Sequence, residues 1–121
     1  DIMAHLVSRL NTELTTQGYT NTRVGILADD TTSQVIIRRD GGSRNSKTIM
    51  SSVIGVNIYE SSYATAEGLA LMVEAIFDDL PNGTPIVATS VQSSIQDVTD
   101  LSGERRFLRF AVTHRGSNLT N

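Results

Sequence analysis

The most constraining feature of the chain is the stretch 49–80, where a period of two passes directly into a period of 3.6. Met50, Ser52, Ile54, Val56 and Ile58 occupy alternate positions, the spacing of a strand with one buried face. From Tyr63 onward, Ala66, Leu69, Ala70, Val73, Ile76, Phe77 and Leu80 form a wide apolar stripe on a helix of about five turns. Nothing else in the chain is as long or as strongly periodic. It serves as the scaffold on which the other strands are laid, and it carries no catalytic signature.

The rest of the chain supplies shorter elements. Ile2, Met3, Leu6, Val7, Leu10 and Leu14 trace one face of a helix over residues 2–15, which Gln17-Gly18 ends. Residues 24–28 read as a short strand and residues 34–39 as the next, with Asp29-Asp-Thr-Thr-Ser33 as the turn that would make them a hairpin. Asp40-Gly-Gly-Ser-Arg-Asn-Ser-Lys47 shows neither period and reads as an exposed loop carrying Arg44 and Lys47. Ser61 or Ser62 is placed to cap the long helix, and Pro81-Asn-Gly83 stops it.

Two more strands follow. In residues 86–98, Val87, Val91 and Ile95 face one way and Ser90, Gln92, Ser94 and Gln96 the other. In residues 105–114, Leu108, Phe110 and Val112 point to the core, while Arg105, Phe107, Arg109, Ala111 and Thr113 take the other face. A turn with Gly103 at its tip pairs these strands antiparallel. The order α-β-β-β-α-β-β predicts one α+β domain over residues 1–121: a mainly antiparallel sheet with two helices on one face and a polar face opposite.

At 121 residues the chain suits one domain with a core that needs no covalent staple. It has no cysteine, which excludes disulfides and thiolate chemistry. No apolar run approaches the roughly 18 residues of a membrane helix. Because the chain opens on Asp1, further residues are expected to precede it, and a removed leader stays open. Its net charge of −3 argues against a free-standing nucleic-acid binder. Nine of the ten basic residues are arginine, and Lys47 is the only lysine. Arginine is favoured where planar, two-pronged contacts cross an interface, although coding-base composition gives the same bias.

The residues that carry chemistry form no constellation. His5 and His114 lie far apart, with no metal-ligand neighbour at a usable spacing. Asp29-Asp30 and Asp78-Asp79 read as solvated pairs in a turn and at a helix end. Asp40-Gly-Gly-Ser lacks the glycine spacing and the Lys-Ser/Thr of a phosphate loop, and no serine sits in a nucleophile elbow. No catalytic residue, metal or cofactor is assigned.

The layout resembles the tail terminator and tail-completion proteins of long-tailed bacteriophages. The resemblance rests on the amphipathic first helix before a short strand pair, the polar Asp40-Gly-Gly-Ser loop, the Tyr59-Glu-Ser-Ser-Tyr-Ala-Thr-Ala-Glu-Gly-Leu-Ala70 passage into the long helix, and a final hairpin. That hairpin turns at Asp97-Val-Thr-Asp-Leu-Ser-Gly103 and ends in Phe-Leu-Arg-Phe-Ala-Val-Thr-His-Arg-Gly116. The resemblance implies a structural virion protein without enzymatic activity. It would form a homo-oligomeric ring, typically a hexamer, at the head-proximal end of the tail tube. The ring ends tube polymerisation and meets the head-tail connector, and DNA passes through its lumen without sequence-specific binding. Assembly would take place in the host cytoplasm.

By position, Asp40, Gly41, Gly42, Arg44 and Lys47 are the candidates for reaching the tube, the lumen or a neighbour. Arg38, Arg39, Arg105, Arg106 and Arg109 are candidates for ion pairs between subunits, with Asp29, Asp30, Asp97 or Asp100 as partners. Three alternatives stay open: a neck or head-completion protein of the same architecture, a small oligomeric α+β enzyme, and a monomeric binding module.

Overall fold

The computed structural model describes residues 2–44, 49–81, 86–98 and 103–115. The elements run α1 (Ile2–Thr16), β1 (Arg23–Gly25), β2 (Gln34–Arg44), β3 (Ile49–Glu60), α2 (Tyr63–Asp79), β4 (Ile86–Val98) and β5 (Glu104–Arg115). They build the expected α+β fold: a five-stranded, mostly antiparallel sheet in the order β1-β2-β3-β5-β4, with the helices beside it.

Helix α1 ends where glycine permits it. Gly18 takes φ 98°, a left-handed value that a side chain would resist, and the Tyr19 N–H then closes on the Leu14 carbonyl at 2.9 Å. Leu6, Leu10 and Leu14 are buried beneath it. At the start of α2, Ser62 is the cap: its Oγ accepts from the Thr65 N–H at 3.3 Å, a contact worth about 1 kcal/mol. The predicted stripe of α2 is buried from Ala66 to Leu80, and it lies against Ile54, Val56 and Ile58 of β3 and Leu108, Phe110 and Val112 of β5. The Phe77 and Phe110 rings stack with centroids 4.1 Å apart. Each such buried side chain contributes roughly 2 kcal/mol of apolar transfer.

Three expectations are corrected. First, β1 and β2 are not a hairpin. They pair in parallel, with Arg23, Val24 and Gly25 opposite Gln34, Val35 and Ile36. Because β1 is only three residues long, the return stretch 26–33 has little distance to cover, and no long crossover is needed. The buried Gln34 side chain holds that return. Its Nε2 donates to the Asp29 and Thr31 carbonyls at 2.9 and 2.8 Å, and its Oε1 accepts from the Asp29 N–H and from Arg23 Nη1, both at 3.2 Å. Thr31 N–H bonds Asp29 Oδ1 at 2.8 Å, so the aspartate does fold back on its own backbone as its turn chemistry predicts.

Second, Asp40-Gly-Gly-Ser is not a loop. Strand β2 continues to Arg44, with Gly41 opposite Val53, Gly42 opposite Ser52 and Arg44 opposite Met50. The register shifts between Arg39 and Gly41, which leaves Asp40 as the extra residue of a bulge. Residues 45–48, including Lys47, lie outside the described residues, as does the Arg44 side chain.

Third, β4 does not alternate cleanly. Its pairing with β5 slips three times, at Ile86/Ala88, Val91/Ser93 and Ser93/Gln96. Val87 falls in the first slip and is exposed; Val91 stands opposite Phe110 but is also exposed, while Ile95 packs on the core.

Candidate functional site

Side chains directly opposite on antiparallel strands share a face. On β5 the alternation sends Leu108, Phe110 and Val112 under the helices, and sends Arg105, Phe107, Arg109, Ala111 and Thr113 to the uncovered side. Opposite them on β3 stand Tyr59, Asn57, Gly55, Val53 and Ser51. This uncovered side is where most of the strand arginines meet partners.

Asp40 is its centre. The bulge turns its carboxylate over the sheet, where Oδ1 takes Arg38 Nε at 2.6 Å and Oδ2 takes Arg109 Nη2 at 3.3 Å. The site exists because Gly55 lies underneath: a Cβ there would collide with the Asp40 carboxylate and press on the Phe107 ring. The Arg109 guanidinium also lies over Phe107, 5.3 Å from the ring centroid. Further along, Arg105 Nη2 donates to Asn57 Oδ1 at 2.7 Å and lies over Tyr59 at 5.2 Å. Nε of both Arg105 and Arg109 is buried without an acceptor. Arg39 is exposed and makes no side-chain hydrogen bond or ion pair among the described residues.

Arg106 stands apart from the other strand arginines. It is in phase with Leu108 and Phe110, and it is 1% exposed. Its Nε meets Glu67 at 2.6 Å and Asp97 at 3.0 Å, its Nη1 meets Glu104 at 3.1 Å, and its plane lies over Tyr63 at 4.7 Å. Burial alone would lower its pKa; the hydrogen bonds it donates to Glu67 and Glu104 and the Asp97 charge outweigh that and raise it. Arg106, a candidate for ion pairs between subunits, ties α2, β4 and β5 together within the chain. Asp97, a candidate for ion pairs between subunits, meets Arg106 at 3.0 Å within the chain. Asp29 likewise pairs with Arg23 at 3.1 Å. Asp100 lies outside the described residues.

At the end of the sheet where β3 finishes and β5 begins, a cleft of about 310 Å³ is lined by Asp29, Asp30, Thr32, Tyr59, Glu60 and Glu104 among others. Glu60 Oε2 accepts from Ser33 Oγ at 2.6 Å. The Asp29 carboxyl is held below its usual pKa, chiefly by hydrogen bonds from Thr31, with Arg23 adding to them. Among the described residues no group of three or more His, Asp or Glu side chains is arranged to hold a metal ion. The histidines are elsewhere. His114 is buried; a proton on Nδ1 serves the Arg115 carbonyl at 3.1 Å and leaves Nε2 to accept from Ser52 Oγ at 2.8 Å. No helix of the described residues is long and apolar enough to cross a membrane.

Sequence reasoning found the arginines but not what they meet. Asp40 and Arg109 are 69 positions apart, and Gly55 gave no sign of the space it leaves. The place of Arg106 was legible, because its parity is that of Leu108, Phe110 and Val112. No protein-family model and no curated protein matches this chain.

Proposed function

We propose that this chain is a structural virion protein of a long-tailed bacteriophage. Copies of it form a ring, six to a turn, at the head-proximal end of the tail tube. The ring stops tube growth and joins the head-tail connector, and DNA passes through its centre. The observation that carries this reading is the uncovered sheet face. One face of the five-stranded sheet is left without helices, and it mixes Arg, Asp, Asn, Tyr, Thr and Ser with Phe107, Ala111 and Val53 rather than presenting a smooth apolar surface. Such a face suits contacts that form late, between soluble subunits. The net charge of −3 suits a lumen that DNA traverses without sticking.

The test is assembly. Purified protein is sized by light scattering and imaged alone and with tail tubes assembled from the tube protein. Rings, or monomers that gather at tube ends and halt elongation, are expected. A protein that stays monomeric and leaves tube ends bare and growing sinks the proposal.

A further inference from the structure

The largest apolar exposure among the described residues sits on the return stretch between β1 and β2. Leu27 is 75% exposed and its neighbour Ile26 57%. Single exposed aliphatics are ordinary, but two in a row on a braced turn call for a reason. The brace is close-knit. Arg23 Nη1 donates to the Leu27 carbonyl at 2.8 Å, Arg23 Nε meets Asp29 Oδ2 at 3.1 Å, and the Gln34 amide fixes the backbone at Asp29 and Thr31. The turn therefore holds two apolar side chains in water at a fixed place, where they add nothing to the core.

The same turn forms part of the cleft. Residues 28–32 follow Leu27 directly and line it, together with Tyr59, Glu60 and Glu104. Two of its carboxylates are matched, Asp29 by Arg23 and Glu104 by Arg106. Two are not. Among the described residues, Glu60 takes hydrogen bonds only from the Ser33 hydroxyl and the Ser61 N–H, and the Asp30 side chain has no partner. Arg105 lies over the Tyr59 ring, but it donates to Asn57 and forms no ion pair with either carboxylate.

We infer that Ile26, Leu27 and the cleft beside them form a docking site for a segment of another protein. That segment lays an apolar side chain on Ile26 and Leu27 and sets an arginine or lysine in the cleft, facing Asp30 and Glu60. The apolar pair anchors the contact, and the two unmatched carboxylates fix the sign of its charge. Because the turn is already ordered, little conformational freedom is lost on docking. The carboxylates alone would suit any simple cation; the apolar pair next to them is what points to a protein. The occupant is a different protein rather than a second copy, because Arg9, Arg23, Arg38, Arg106 and Arg109 already hold carboxylates of their own chain. The site stands independently of the ring reading.

The probe is a short blocked peptide carrying one leucine and one arginine, titrated into the full chain and followed by amide shifts in two-dimensional NMR. Two control peptides replace the arginine by glutamine or the leucine by serine. Saturable shifts are expected at residues 26–34, 59–60 and 104, and each control should bind roughly tenfold more weakly. Leu27→Ser should weaken the probe about tenfold, and Asp30→Asn/Glu60→Gln by about tenfold or more, with thermal unfolding as the control for folding. Should the double variant fail to fold, Asp30→Asn alone carries the charge comparison. No saturable shift up to about 10 mM peptide overturns the inference. So does binding that Leu27→Ser leaves unchanged, or that the arginine-free control matches. If Ca²⁺ or spermine binds the cleft more tightly than the peptide and Leu27→Ser alters nothing, the cleft is a plain cation site and the inference is wrong. Shifts at the same amides on concentrating the chain alone would assign the surface to self-association and overturn it as well.

Discussion

Strand β5 places the same two residue types on both of its faces, and they meet opposite fates. Phe110 is buried and stacked on Phe77; Phe107, three residues away, lies half-buried on the open side under Arg109. Arg106 is enclosed by three carboxylates, whereas Arg109 has one and a side chain 41% exposed. Residue type therefore says little here. Parity along the strand decides whether a phenylalanine is core or covering, and whether an arginine is a structural tie or an available cation.

The largest test of that contrast is the pair of phenylalanines. Phe110→Ala should cost roughly 4 kcal/mol, since its cavity opens between α2 and the sheet, while Phe107→Ala should cost about 1 kcal/mol, both measured by urea unfolding. Equal losses would mean that the open face is as tightly packed as the covered one. Next come the arginines. Arg106→Ala leaves three carboxylates facing an empty site and should cost about 3 kcal/mol, whereas Arg109→Ala should stay under about 1 kcal/mol.

Gly55→Ala sharpens the comparison without touching a charge. It displaces the Asp40 carboxylate and should cost about 1 kcal/mol, and Arg109→Ala should then add almost nothing in the Gly55→Ala background. Additive losses would show that the Asp40–Arg109 pair survives the added methyl.

The smallest effect concerns His5 in α1. Its pKa is lowered below the ordinary 6.5, by burial first and by Arg9 second. The folded state therefore binds this proton less readily than the unfolded chain. The contribution is complete above the unfolded pKa and is lost as pH falls through 6.5 toward the depressed value. Urea midpoints should drop slightly between about pH 7.5 and about pH 5.5, and His5→Gln should remove that slope.

Much of the fold was legible because one face of it is buried. The alternation in β3 and β5 and the stripe in α2 each record the same apolar layer, so the order of elements and their parity followed directly. Where no layer presses on the chain the signal fades. β2 runs on through Asp40-Gly-Gly-Ser with partners on β3 but little apolar content, so its period vanished although its pairing did not. The parallel β1–β2 pairing depends on the Gln34 amide gripping the 26–33 stretch, a tertiary arrangement that turn-forming residues alone do not reveal. The candidate site was half legible. The arginines stood out by number and position, yet their partner Asp40 comes from a bulge on a different strand.

The three slips in β4 carry a consequence for solubility. This strand forms one border of the sheet, and a long border strand is a template on which other chains can add themselves without end. A newcomer would have to match an interrupted spacing of backbone donors and acceptors, and it would lose step every few residues. Irregularity at that border guards the chain against fibrous growth by strand addition.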